Sequence, residues 1–205
     1  VVHDNGAKVV YTASGNGEEC YMPRFSFFGY RYLSLKATGR VTFKSIESVP
    51  VSSVSAEAEC GRLETGVPAL NKFISNVRWG MLSNYMGVPM DCPQRDERLG
   101  WAGDAQFFAR AAFYQADVYD FFRKWMADMR DCQHDDGSFA SVAPYGRTGD
   151  DGGRFGFTDA GVVIPYTAWL MSGRRKIVDE NWLAMERYLA FVAKDRFAGP
   201  VSSLY

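Results

Sequence analysis

Fourteen consecutive residues, from Asp91 through Cys92, Pro93, Gln94, Arg95, Asp96, Glu97, Arg98, Leu99, Gly100, Trp101, Ala102 and Gly103 to Asp104, hold four acids, two arginines, one tryptophan and two glycines. A solvated surface loop can carry similar charge. Three features set this stretch apart from one. Pro89 and Pro93 stiffen the backbone. Gly100 and Gly103 flank Trp101, so a tight turn can present a large ring. Asp104 stands at a helix start, where the helix dipole favours a negative side chain. Crowded carboxylates beside an aromatic ring are the equipment of glycosidic bond cleavage. That reaction needs one carboxylic acid to protonate the leaving oxygen and a second carboxylate to act at the anomeric carbon or on water. Neighbouring acids and an aromatic wall help a carboxyl keep its proton near neutral pH. Arginines beside carboxylates suit the holding of sugar hydroxyls. Spacing alone leaves open which of Asp91, Asp96, Glu97 and Asp104 is the acid.

Two textures meet near residue 60. Before it, β-forming residues recur: Val9-Val10-Tyr11, an alternating stretch from Pro23 to Leu35, Val41 and Phe43, and Val49-Pro50-Val51. This predicts the last strands of an antiparallel sandwich over residues 1–62. So few strands would leave an open edge, which places the remaining strands upstream. From residue 63 to 205 the period becomes helical. Pro68 suits a first turn, and Leu70, Phe73, Ile74, Val77, Met81 and Tyr85 follow three- and four-residue steps up to Gly87 and Pro89. A second helical run begins near Asp104, with Phe107, Ala111, Tyr114, Val118, Phe122, Trp125 and Met129 on one face, and breaks near Asp117. A long loop spans Asp135 to Asp159. Two further helices are marked by Val163, Tyr166 and Leu170, and by Val178, Trp182, Met185, Leu189 and Val192. Helices with one apolar face each predict an α/α arrangement.

A net charge of -1 gives no surplus that would draw nucleic acid or a membrane surface. No apolar run is long enough to cross a bilayer. The four cysteines form no CxxC pair, and neither histidine sits in a nucleophile motif, so zinc, redox and triad chemistry are set aside. The aspartate-rich stretches 134–137 and 149–152 lack the ligand spacing of a calcium loop. No metal and no cofactor are expected.

The stretch DCPQRDERLGWAGDAQ, residues 91–106, resembles the signature loop of the α-L-rhamnosidases of glycoside hydrolase family 78. Phe25-Ser26-Phe27-Phe28-Gly29-Tyr30-Arg31-Tyr32 is similar to the ending of that family's β-domain. Phe157-Thr158-Asp159-Ala160 through Pro165-Tyr166 resembles a further family segment, with Phe157 where the family often has Trp. The resemblance implies an antiparallel β-domain followed by a six-fold α/α barrel, about half of which would lie in this chain. It implies an inverting hydrolase acting on rhamnose-containing carbohydrate. Glu97 would be the general acid. Asp91, Arg95 and Asp104 would hold rhamnose hydroxyls or support the acid, Trp101 would pack against the sugar, and Asp159 would add a polar contact. The family's general base is a downstream glutamate; Glu180 and Glu186 read as surface residues of an ordinary helix. The isolated chain is therefore expected to be inactive, and to self-associate through uncovered helix faces. An α/α-barrel glycosidase for another sugar, and a non-catalytic sugar-binding relative, are the competing readings.

Overall fold

The computed structural model describes residues 8–145 and 156–197. Five helices and one small hairpin carry the fold: α1 (Pro68–Asn84), β1 (Tyr85–Met86), β2 (Val88–Pro89), α2 (Ala102–Gln115), α3 (Tyr119–Asp131), α4 (Ala160–Ser172) and α5 (Lys176–Phe197).

Local chemistry explains where these elements start and stop. Pro68 opens α1 at a position where its missing N–H costs nothing. Ahead of it, the Asn71 side chain accepts from the Thr65 backbone N–H and donates to the Thr65 carbonyl, both at 2.9 Å. Gly87, at φ 72°, turns β1 back onto β2, pairing Tyr85 with Pro89 and Met86 with Val88. This hairpin delivers the chain into the polar loop at Asp91. The break between α2 and α3 falls at Ala116, which is extended (φ -154°, ψ 160°). Asp117 then accepts from the Tyr119 N–H at 3.1 Å as α3 begins. Gly173, at φ 71°, ends α4 in the left-handed conformation that favours glycine.

The core joins α3, α4 and α5, with α2 packed on α4. Phe122, Trp125, Met126 and Met129 of α3 are fully buried in it, as are Ile164 and Ala168 of α4 and Ile177 of α5. Helix positions follow the sequence reading, but the buried faces differ. On α2 the buried stripe is Ala102, Ala105, Ala109 and Ala112, while Phe107 and Tyr114 are exposed. On α4, Ala160, Gly161, Ile164 and Ala168 are buried, and Val163, Tyr166 and Leu170 are exposed. Leu70 and Phe73 of α1, and Trp182 and Leu189 of α5, are exposed as well. Small residues let two helix backbones approach closely, and these helices use them to meet one another. Their large apolar side chains stand on other faces.

The expected strands are absent from residues 8–55, which run as extended, mostly exposed chain. A strand needs a partner for its backbone N–H and C=O groups, and β-prone side chains do not supply one. The junction after this stretch is nonetheless held firmly. Ser53 N–H donates to the Tyr85 carbonyl at 2.7 Å, Asp117 N–H to the Ala58 carbonyl at 2.8 Å, and Gly61 N–H to the Gln115 carbonyl at 2.9 Å. Arg78 of α1 pairs with Glu59 through two bonds, Nη2 to Oε1 at 2.7 Å and Nε to Oε2.

Candidate active site

The polar loop between β2 and α2 is built from the core outward. Trp125, fully buried on α3, donates its indole N–H to the Ala143 carbonyl at 2.8 Å. Ala143 N–H donates to the Gly100 carbonyl at 3.0 Å, and Ala102 N–H to the Ser141 carbonyl at 2.8 Å. Trp101 and Val142 thereby form an antiparallel bridge. Gly100 sits at the centre of a tight three-residue turn closed by the Trp101 N–H on the Leu99 carbonyl at 3.0 Å, and neither it nor Gly103 needs a left-handed backbone. Both are needed for close approach. A Cβ on Gly100 would stand 2.1 Å from the Ala143 oxygen, and one on Gly103 would stand 2.6 Å from the Phe157 ring.

Asp91 ties the two ends of the loop together. Its N–H donates to the Leu99 carbonyl at 3.0 Å, and its Oδ1 accepts from the Leu99 N–H at 2.8 Å. Its Oδ2 accepts from the Cys92 thiol at 3.0 Å. The Asp91 side chain is 7% exposed and braces the two ends of the loop. Burial first, and the bond to Asp91 second, push the Cys92 thiol up; the Arg98 backbone N–H and the charge of Arg95 pull the other way.

Glu97 has a different environment. Its side chain is 33% exposed. Oε1 accepts from the Trp101 indole N–H at 3.0 Å, and Oε2 meets Arg95 Nη2 at 2.7 Å. Arg95 is 46% exposed and also faces Asp91 Oδ2 at 3.6 Å. Cys92 first, and the Glu97 carboxylate second, hold the Arg95 guanidinium still further toward its protonated form, against a smaller opposing effect of burial. One oxygen each of Asp91 and Glu97 and the Cys92 sulfur lie within 4.8 Å of one another. The guanidinium already supplies positive charge to both carboxylates, which leaves little electrostatic call for a cation there.

The Trp101 ring meets Phe157 edge to face, with centroids 5.9 Å apart. That contact brings the start of α4 to the loop. Asp159 lies there, and both its oxygens are engaged: Oδ1 accepts from the Tyr188 hydroxyl at 2.5 Å and Oδ2 from the Gly156 N–H at 3.0 Å. Asp104 is exposed on the first turn of α2. With Asp91, Asn84 and Phe157 it lines an open cleft of about 470 Å³ between α1 and α2. Glu97, Arg95 and Trp101 do not line that cleft. The loop thus groups Asp91, Arg95, Glu97 and Trp101 tightly, with Asp104 and Asp159 at its margin.

Residues 58–201 match the family model of the bacterial alpha-L-rhamnosidase six-hairpin glycosidase domain. This chain belongs to that family. Residues 1–52 match the model of the bacterial alpha-L-rhamnosidase concanavalin-like domain. An α-L-rhamnosidase of Streptomyces avermitilis is 40% identical over 186 residues, covering 90% of this chain and 18% of that protein. One from Formosa agariphila is 35% identical over 185 residues, covering 88% and 19%. The chain therefore spans about a fifth of the length of these relatives. Among solved structures, the S. avermitilis α-L-rhamnosidase complexed with L-rhamnose aligns at a TM-score of 0.62, covering 64% of this chain and 13% of that one. The α-L-rhamnosidase from Dictyoglumus thermophilum aligns at 0.64 with 34% identity, covering 66% and 15%.

Within this α-L-rhamnosidase-family chain, the structure gives a role to three residues that the sequence left without one. Cys92, a free and buried cysteine, bonds the Asp91 carboxylate that braces the loop. Phe157 replaces an expected Trp and packs the edge of Trp101. Arg98 adopts a left-handed backbone at φ 50° immediately after Glu97; a non-glycine residue in that conformation carries no local sequence signal.

Proposed function

We propose that this chain belongs to an inverting glycosidase that releases terminal α-L-rhamnose from glycosides or polysaccharides, and that Glu97 is its general acid. The observation that carries the reading is the contrast between two neighbouring carboxyls. The Asp91 side chain, 7% exposed, is bonded to backbone and thiol donors. Glu97 is partly open and oriented by Trp101 and Arg95. Glu97 donates its proton to the glycosidic oxygen as the bond to the anomeric carbon breaks. Arg95, nearly half exposed, turns from Oε2 toward a sugar hydroxyl when Glu97 carries that proton. Trp101 offers its ring face to the sugar while its N–H keeps Oε1 in place. Asp104 supplies a further acceptor for a hydroxyl, and Asp159 steadies the loop that carries Phe157.

Inversion requires a second carboxylate about 6.5–9.5 Å away, with water between. Asp91 is too close for that role, since its oxygen lies within 4.8 Å of one on Glu97. In this reading the general base comes from beyond these 205 residues, and the isolated chain is inactive. Residues 1–62 are then the end of a β-sandwich domain and residues 63–205 roughly the first half of a six-fold α/α barrel. The α-L-rhamnosidase names of the relatives support the choice of sugar.

The test is rhamnose release from a natural rhamnoside by the complete protein, wild type beside Glu97→Gln. A poor leaving group is essential, because an activated one departs without acid help. The expected result is an active wild type and a variant reduced by about 10²–10⁴. A wild type that releases no rhamnose overturns the substrate, and a fully active variant overturns the role of Glu97.

A further inference from the structure

Arg98 follows Glu97 directly and sits at φ 50°, a backbone region that L side chains rarely adopt. Something must hold it there. Its guanidinium carbon lies 4.4 Å from the centroid of the Phe27 ring, within cation–π range. Its Nε is buried with no hydrogen-bond partner among the described residues, and the Phe27 face is the aromatic contact that its guanidinium makes. Two residues after Phe27, Gly29 presses on the same loop from outside. A Cβ at Gly29 would lie 3.0 Å from Gln94 Cα. The stretch 27–29 therefore touches the acid loop at Gln94 and at Arg98, and these two positions bracket Arg95 and Glu97.

We propose that Phe27 and Gly29 form a clamp that positions Glu97 through Arg98, so that the segment preceding the helical domain governs acid catalysis. This rests on the reading of Glu97 as the general acid. The side-chain bonds of Glu97 run to Trp101 and Arg95 of its own loop, so they orient the carboxyl within the loop but do not place the loop. The left-handed turn at Arg98 sets the direction of the chain between Glu97 and Leu99, and Leu99 is bonded at both its N–H and its carbonyl to Asp91. Holding Arg98 therefore fixes the angle at which Glu97 leaves the loop. Phe27 lies in the part of the chain that matches the concanavalin-like domain. The clamp thus gives that part a role in the reaction. Phe27 and Arg98 are positioning residues, since neither needs to touch the sugar.

The test compares the complete wild-type protein with Phe27→Ala and Arg98→Gly. Glycine accepts the left-handed backbone without strain, so Arg98→Gly adds none while it removes the side chain and frees the turn that the clamp holds. Each protein is assayed on an alkyl rhamnoside, which needs acid help, and on 4-nitrophenyl rhamnoside, which does not. Misplacing the acid should lower kcat on the alkyl substrate by about 10–100-fold in both variants and on the nitrophenyl substrate by less than about 3-fold, with KM little changed. Phe27→Tyr keeps the aromatic face and should retain both rates. Phe27→Leu keeps bulk without that face and carries the test if the alanine variant does not fold. Equal losses on the two substrates would indicate a merely structural contact and overturn the clamp, as would undiminished alkyl activity. A wild type inactive on both rhamnosides overturns the underlying reading of Glu97 and the clamp with it.

Discussion

The indole N–H of Trp101 donates to Oε1 of Glu97 across 3.0 Å, while the same ring meets Phe157 edge to face. One side chain thus orients the acid with its polar edge and is itself fixed by its apolar edge. Trp101→Phe separates these roles, because it keeps an aromatic ring and deletes the donor. A hydrogen bond to a charged or reacting group is worth about 1.5–3 kcal/mol. The expected outcome in the complete protein is a fall in kcat on an alkyl rhamnoside of about 10–100-fold. Steady-state kinetics check it, and an unchanged kcat would show that Arg95 alone suffices to orient Glu97.

Gly100 lies where the loop crosses the strand-like segment around Ala143. The Ala143 oxygen would be 2.1 Å from an added Cβ, and the Trp125 indole nitrogen 2.9 Å. Neither is the end of a flexible side chain free to move, since Trp125 is fully buried and bonded to that same oxygen. Gly100→Ala must push the loop off its support or break the buried indole bond. Overpacking and a stranded buried donor together cost about 2–5 kcal/mol. A clear drop in the thermal midpoint of the complete protein, with loss of rhamnoside hydrolysis, is the expected result. A midpoint equal to that of the wild type would mean that the loop does not depend on this crossing.

Cys92 is buried, and burial with the Asp91 bond raises its thiol above the ordinary range. The reactive species is the thiolate. At neutral pH, Cys92 should resist alkylation while exposed Cys20 and Cys60 react. The sign for stability follows from the same shift. The folded protein holds this proton more tightly than the unfolded chain does. The stability linked to it is present below the unfolded thiol's pKa and is lost as pH rises through the raised folded value. Mass-spectrometric mapping after iodoacetamide treatment at pH 7.5, native and then denatured, checks the order. Labelling of native Cys92 as fast as Cys20 would show that the loop opens readily.

Much of the helical layout was legible because it rests on local signals. Pro68 and Gly87 bracket α1, and the polar Asp117 marks the break between α2 and α3. The buried faces were not legible. Alanines 105, 109 and 112 carry weak apolar signal beside Phe107 and Tyr114, yet close helix packing selects the small side chains. Strands are not formed among residues 8–55, because pairing partners, unlike propensities, are not a local property of that stretch. At the site, the grouping of Asp91, Arg95, Glu97 and Trp101 could be seen, since all four share one short loop. The contact between Phe27 and Arg98 joins distant parts of the chain, and the Tyr188 hydroxyl that Asp159 accepts from comes from another helix.

Helix α4 is apolar all round, and only one side of it is covered. Ile164 and Ala168 are fully buried, whereas Tyr166, Trp169 and Leu170 are exposed. Phe107 on α2 is 81% exposed and Trp182 on α5 is 55% exposed. A helix without a polar face belongs inside a larger assembly, and exposed apolar surface of this kind drives association. The isolated 205-residue chain should therefore self-associate. Sedimentation velocity across a concentration series should show species heavier than the 23.0 kDa monomer, growing with concentration. Replacing Phe107, Trp169 and Trp182 together by Ser should shift the distribution toward monomer. These side chains lie outside the core of α3, α4 and α5, so the far-UV helical signal should persist. A wild-type chain that sediments as one monomer at every concentration would mean that these faces rearrange to cover themselves, and that the helix packing described above is not the packing of the free chain.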